Sequence, residues 1–305
     1  MSGLQLVPAV SRPRPTKPRR SRSAVADLKN WLYRLLESEH PMTCRQVFYR
    51  AVTMGVIGKT EGEYKQTIIR LLTEMRKARE LPWQWLADNT RWQRKPDTST
   101  GLVAQLNHTA EFYRRALWAE QPCYVEIWLE KDALAGVLME ETEQWDVPLM
   151  VSRGYASYSF IASAADAIRE IGKPTYLYYF GDYDPSGVNI PQVIERQLRE
   201  LTPGVDIHFS REAVNAEQIS RWNLPTRPTK ETDSRAKGFK GESVEVDAIP
   251  PKALRALVKN CIVQHIDPGI YERTRKVEQA ERETLATLAR VAAEGGAVRF
   301  VDAQP

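Results

Sequence analysis

Apolar positions between residues 24 and 39 recur at helical spacing. Val25, Leu28, Leu32 and Leu35 form one stripe, and Trp31 and Leu36 widen it. A second helix starts at the pair Thr43 and Gln46, whose spacing is that of a capping box, and carries RQVFYRAVTMG to Gly55. Val47, Phe48, Ala51 and Val52 make its apolar face, while Arg45 and Tyr49, four residues apart, share another flank. After a glycine-punctuated turn, a longer helix is expected over 63–80. It buries Tyr64, Ile68, Leu71, Leu72 and Met75 and shows Lys65, Arg70, Arg76, Lys77 and Arg79 elsewhere. Pro82 ends it, and WQWLADNTRWQRK reads as a short β-wing with Arg91, Arg94 and Lys95 near its tip.

From residue 120 onward the pattern changes to alternation of strands and helices. Strands are expected at 124–129, 147–151, 176–180 and 206–209, with helices at 133–143, 157–171 and 188–201 between and after them. That spacing implies parallel βαβ units with right-handed crossovers. A helix over 100–120 bridges the two regions. Beyond the alternation, 211–222 reads as helix, 223–243 as a long polar loop, 244–249 as a strand and 251–263 as a helix. Asp267 and Pro268 cap a last helix reaching Gly295, with a stripe of Ile270, Thr274, Val277, Leu285 and Leu288. That stripe would pack on the α/β body or on a second subunit.

The chain of 305 residues is long enough for two cores, and its 42% apolar and 27% charged content is that of a globular protein. No apolar run reaches the length of a membrane span, and the basic N-terminus has no apolar segment of a secretory signal. Three cysteines and four histidines, all scattered, form neither a zinc pattern nor a disulfide framework, as expected of a reducing, cytoplasmic interior. The net charge of +4 is concentrated at the front: residues 11–23 hold six basic residues and no acid. Prolines keep that segment extended, either as a solubilising tail or as an arm lying on phosphates. Helix, turn, basic helix and basic wing together resemble a winged helix-turn-helix, with Arg76, Arg79, Arg91 and Arg94 as candidate DNA contacts. The other reading is a helical domain with solvated basic faces.

The candidate chemistry lies in YLYYFGDYDPSG, residues 176–187. A run of β-formers leads into Asp182 and Asp184, and Pro185 and Gly187 then break the chain. Glu130 ends the earlier apolar run CYVEIWLE. In a parallel sheet these acids project beyond the strands' carboxyl ends, where ligands bind. Three carboxylates there suit a hard divalent cation, whereas each acid singly would serve as a helix N-terminal charge or a surface ion pair. Gly58-Lys59-Thr60 mimics the end of a phosphate-binding loop, but Thr53 stands where its first glycine belongs and a capped helix precedes it.

A glutamate after the first strand, Arg153-Gly154-Tyr155 after the second and D-Y-D-P-S-G after the third resemble the Toprim domain. The combination is most similar to the topoisomerase VI A subunit and the meiotic double-strand-break transesterase. Those proteins carry a tyrosine in an R-[DE]-[IVL]-[FY]-Y motif within a preceding winged-helix domain, and RQVFY matches it except for Gln46. The resemblance covers 43–201. It implies a winged-helix domain at 23–118, a Toprim domain at 119–265 of Rossmann-like parallel-sheet form, and a C-terminal helix and tail at 266–305, after a basic tail at 1–22.

The resemblance further implies a type IIB topoisomerase-like isomerase acting on double-stranded DNA. Tyr49 would be the nucleophile and Arg45 its stabiliser. Asp182 and Asp184 would hold Mg²⁺, with Glu130 a further ligand or the general acid/base, and Arg153 would join the DNA contacts. It implies a homodimer whose half-sites each cut one strand, and a separate ATPase subunit, since the chain has no ATP-binding motif. Three alternatives stand beside it: a Toprim nuclease using water, with Tyr49 a core residue; a primase-like polymerase, whose zinc module has no ligands here; and a non-catalytic DNA-binding component.

Overall fold

The computed structural model describes residues 20–87, 96–229, 239 and 241–294. A set of N-terminal helices precedes a parallel sheet flanked by helices. Helix α1 (Arg22–Glu39) begins where the Ser21 hydroxyl accepts the Ala24 N–H, and it buries Leu28, Leu32, Leu35 and Leu36. Helix α2 (Cys44–Thr53) carries the expected capping box: Thr43 and Gln46 exchange side chain–backbone bonds of 3.0 Å each. The helix expected over 63–80 divides into a π-helical segment (Glu63–Ile69) and α3 (Arg70–Lys77). It ends at Arg79, which adopts a left-handed φ of 59° before Pro82. The segment read as a wing begins differently, with a 3₁₀ turn at Trp83–Trp85 and a parallel bridge from Leu86 to Met42. Its basic part, with Arg91, Arg94 and Lys95, lies outside the described residues.

Helix α4 (Leu102–Phe112) is shorter than expected and lies along the C-terminal helix. The sheet follows: β1 (Tyr124–Leu129), α5 (Ala135–Gln144), β2 (Leu149–Val151), α6 (Tyr158–Ile171), β3 (Thr175–Phe180), α7 (Pro185–Leu201) and β4 (Ile207–Ala213). Strand order is β2-β1-β3-β4, with every pairing parallel. Alternate residues sort onto two faces, as the twofold period of a strand requires. Val125, Ile127, Leu129, Tyr178 and Phe180 join the core that runs through α5 to the N-terminal helices. Trp128, Leu177 and Tyr179 pack under α6 and α7. Sheet order reverses between β1 and β3, so the crevice of this sheet opens where Glu130 and the loop after Phe180 leave it.

Three later expectations are corrected. Residues 211–213 are not helical: β4 continues to Ala213, because the edge of β3 offers a ladder and Phe180 pairs with Ala213, and only α8 (Ala216–Arg221) is helix. Residues 244–249 form no strand. Val244 makes one antiparallel bridge to Tyr183, and Val246–Ala248 is a 3₁₀ turn. Helix α9 (Pro251–Val263) comes next. In α10 (Pro268–Glu294), capped by Asp267 Oδ1 on the Ile270 N–H at 2.8 Å, the buried positions are Thr274, Glu278 and Ala289. Val277 and Leu288 of the expected stripe face outward, because ion pairs to α4's exit, such as Arg115–Glu281 at 2.8 Å, turn the charged side inward. Among the described residues no helix is long and apolar enough to cross a membrane.

Candidate functional site

The ladder between β1 and β3 sets the position of Glu130, whose N–H donates to Phe180 O at 2.9 Å. One carboxylate oxygen of Glu130 accepts the Asp182 N–H at 3.0 Å and the Tyr179 hydroxyl at 3.3 Å. Burial, and then the charge of Asp182, push its pKa up. Asp182 is itself buried, which raises its pKa, although Lys131 and the Val246 N–H, 2.9 Å from Oδ1, favour its charged form. Asp184 is the N-cap of α7: its Oδ1 accepts the Gly187 N–H at 2.8 Å, ahead of Pro185 in the first turn. The sheet therefore brings the three sequence-predicted acids to one crevice.

Two glycines permit that loop. A Cβ at Gly181 would strike the Glu130 carboxylate and the Tyr179 ring, and one at Gly187 would strike the Asp182 carbonyl. The same carbonyl takes an N–H from Arg211 of β4 at 2.7 Å.

The structure adds partners that periodicity did not disclose. Lys131, next to Glu130, places its ammonium 3.1 Å from Asp182, 3.2 Å from Glu245 and 2.7 Å from Asp247. Burial works against its charge, but these three carboxylates hold its pKa above the ordinary lysine value. Arg227 stands 3.1 Å from Glu245 and 3.7 Å from Asp184. Arg45 grips Glu245 with two N–H donors, at 3.2 and 3.1 Å. Glu245 is buried, yet Lys131, Arg45 and Arg227 overcome that burial and hold its pKa down at about 2. The signal for Glu245 and Asp247 was the alternation V-E-V-D-A, which reads as a half-exposed strand. Both acids turn inward because cations await them.

Tyr49 lies on α2, which packs on the 3₁₀ turn carrying Asp247. Its side chain is 3% exposed, with the guanidinium of Arg45 5.5 Å and the ammonium of Lys59 5.7 Å from its ring. Burial, and then the charge of Glu245, push its pKa up to about 12, with Arg45 and Lys131 pulling the other way. Lys59 is held by the carbonyls of Pro225 and Thr226. A cleft of about 570 Å³ opens beside this network, lined by Arg45, Glu130, Lys131, Arg153, Glu245 and Asp247 among others. Arg153, at a left-handed φ of 54°, is exposed on its rim and pairs with Asp132 at 2.9 Å.

Of the other candidate DNA contacts, the two within the described residues, Arg76 and Arg79, do not line this cleft. Arg76 stacks on Trp83, 4.3 Å from its ring, and donates to the Trp83 carbonyl at 3.2 Å, whereas Arg79 is exposed. A wider groove of about 1350 Å³ between α1 and the π-helical segment is lined by Arg20, Arg22, Lys65 and Arg70, with Glu63 and Glu74.

Carboxylate oxygens are the donors a hard divalent cation takes. Among the described residues, however, no group of three or more His, Cys, Asp or Glu side chains is arranged to hold a metal ion. The position among Asp182, Glu245 and Asp247 is taken by the Lys131 ammonium. No protein-family model matches the chain, and no curated protein matches it.

Proposed function

We propose that the chain is a DNA-binding, Mg²⁺-dependent transesterase similar to the topoisomerase VI A subunit, with a winged-helix domain before a Toprim domain, working as a homodimer on double-stranded DNA. The observation that carries the reading is the convergence of Glu130, Asp182 and Asp184 at the strand-order reversal between β1 and β3. Beside it stands Tyr49, on a helix tied to the same network through Arg45 and Glu245. The D-Y-D-P-S-G loop and the R-Q-V-F-Y helix supply the sequence half of the case.

In this reading the Tyr49 hydroxyl gives its proton to solvent, its oxygen attacks the scissile phosphorus, a phosphotyrosyl bond forms, and the bond to the 3′ oxygen breaks. Asp182 and Asp184 would be the residues to hold Mg²⁺, once the Lys131 ammonium leaves Asp182, and the cation would supply positive charge for the phosphate there. Glu130, with its pKa raised by burial, suits a proton carrier to that oxygen. Arg45 is the cation placed to stabilise the phenolate, whose formation at a pKa of about 12 is otherwise costly at neutral pH. Arg153 on the cleft rim and the basic groove by α1 would hold backbone phosphates, sequence-independently and with affinity that falls as salt rises.

One observation favours a second reading, a Toprim nuclease using water. Tyr49 is 3% exposed, so a phosphodiester reaches its hydroxyl only after the covering residues part. The two readings separate on supercoiled plasmid incubated with Mg²⁺ and stopped with detergent. DNA retained on protein until proteolysis, and lost in Tyr49→Phe, is the transesterase result. Free DNA ends made equally well by Tyr49→Phe are the nuclease result and would overturn the first reading.

A further inference from the structure

Helix α10 has two faces. Thr274, Glu278 and Ala289 are its buried positions, and α4 is the element packed along it. Polar contacts tie the two helices: the Tyr113 hydroxyl donates to Glu281 at 2.7 Å, and Arg282 donates to the Tyr113 carbonyl at 2.7 Å. The other face carries Val277, Ala280, Thr284, Thr287, Leu288 and Val291. At 100° per residue they span an arc of about 100°, and no charged side chain falls in it between Val277 and Val291. All six are exposed, Val277, Leu288 and Val291 by 41, 51 and 60%. The Thr284 and Thr287 hydroxyls are spent inside the helix, donating to Ala280 O at 3.0 Å and Glu283 O at 2.9 Å. Val277, Thr284 and Val291 recur every seven residues with Ala280 and Thr287 between them, the spacing of a coiled-coil seam. An uncharged arc of this width is the side a helix buries. Leu102 and Phe112 of α4 are more than half exposed as well.

We propose that this face of α10 docks a second copy of the chain, antiparallel, about a two-fold axis at Thr284. Val277 and Val291 each stand seven residues from Thr284, so the face meets itself end for end, with Val277 of one copy beside Val291 of the other. Parallel pairing would set Arg273, Arg275 and Lys276 against their own copies. It would also crowd the two bodies together, because α10 is tied to the body at that end. There the Asp267 N–H donates to Gln121 at 2.9 Å and Tyr271 packs on Trp145. At 1.5 Å per residue α10 is about 40 Å long and α4 about 16 Å. A strip about 10 Å wide along both buries roughly 1,100 Å² in a symmetric pair, just above the size at which specific association begins. That this pair is the cleaving dimer rests on the transesterase reading, whereas the pairing itself does not.

The experiment measures the mass of the full-length chain by sedimentation equilibrium over a range of concentrations, beside Leu288→Glu and Val291→Glu. Both positions are exposed, so a charge there leaves the single chain folded. The unaltered chain is expected to form pairs, and either charge to weaken the pairing about tenfold or more. Cysteine substitutions fix the geometry, with the unaltered chain, whose Cys44, Cys123 and Cys261 lie elsewhere, as control. Mild oxidation links Thr284→Cys to itself, whereas Val277→Cys links to Val291→Cys on mixing and not to itself. A single chain at every concentration overturns the proposal, and so do pairs indifferent to both charges. Val277→Cys linking readily to itself overturns the antiparallel arrangement. A chain that pairs only after truncation at Glu294 would assign the face to its own residues 295–305 instead. Pairing through this face in a protein that never links covalently to plasmid DNA would leave the seam standing and remove the transesterase reading alone.

Discussion

Gly187 packs its Cα against the backbone of Asp182, so closely that a Cβ there would lie 2.8 Å from the Asp182 carbonyl carbon. The contact folds the first turn of α7 back on the acidic loop and sets the two aspartates relative to Glu130. The obstacle is backbone, which does not swing aside as a side chain does. Gly187→Ala is expected to destabilise the protein by about 2–3 kcal/mol, the usual cost of forcing extra atoms into a packed site. Urea denaturation checks the value. An Ala variant within a few tenths of a kcal/mol of the original would refute the close approach.

Lys131 is the counter-ion of Asp182, Glu245 and Asp247, and it is mostly buried. Lys131→Met leaves those carboxylates facing one another, and a loss of about 3–5 kcal/mol is expected, as for other broken buried pairs. Adding Asp247→Asn to Lys131→Met restores part of that loss, because it removes one of the stranded charges. A double-mutant cycle with additive losses would contradict the coupling.

Glu126 lies on β1 under α6 and α7, 2% exposed, with its carboxylate accepting the Trp128 indole N–H at 2.8 Å. Burial pushes its pKa up to about 7 from an ordinary 4.5, against the pull of the Trp128 and Tyr124 hydrogen bonds. The folded state therefore binds the proton more tightly than the unfolded one, and stability falls as pH rises from 4.5 to 7. Glu126→Gln keeps an acceptor for Trp128 and removes that penalty. Above pH 7 it is expected to stabilise the chain by roughly 2–3 kcal/mol, with no gain below pH 4. Melting temperatures across that range are the measurement, and a pH-independent difference would refute the assignment.

Asp184 combines a structural and a proposed ligand role, and two variants separate them. Asp184→Asn keeps an oxygen for the Gly187 N–H and is expected to cost less than about 0.5 kcal/mol, whereas Asp184→Ala loses the cap and about 1 kcal/mol. If the acids hold Mg²⁺, the cation raises the melting temperature of the original chain and EDTA reverses the shift. Asp184→Asn then abolishes that response while lowering the metal-free melting temperature by no more than about 2 °C. A Mg²⁺ shift retained in Asp184→Asn would exclude Asp184 as a ligand.

Periodicity along the chain determined the helical N-terminal region, the succession of parallel strands and helices along the chain, and the capping box at Thr43 and Gln46. It determined too that Glu130, Asp182 and Asp184 would meet at one sheet edge. These features are local, or follow from the handedness and spacing of βαβ units, so a linear pattern suffices. The tertiary structure alone decided that β4 runs through Arg211 to Ala213, since an edge of β3 was there to pair with it. It alone turned Glu245 and Asp247 inward and carried Arg45 across 200 residues of sequence to meet Glu245. Such ion pairs leave no period in a sequence. A buried acid and an exposed one carry the same letter, and their difference lies in which cations the fold delivers.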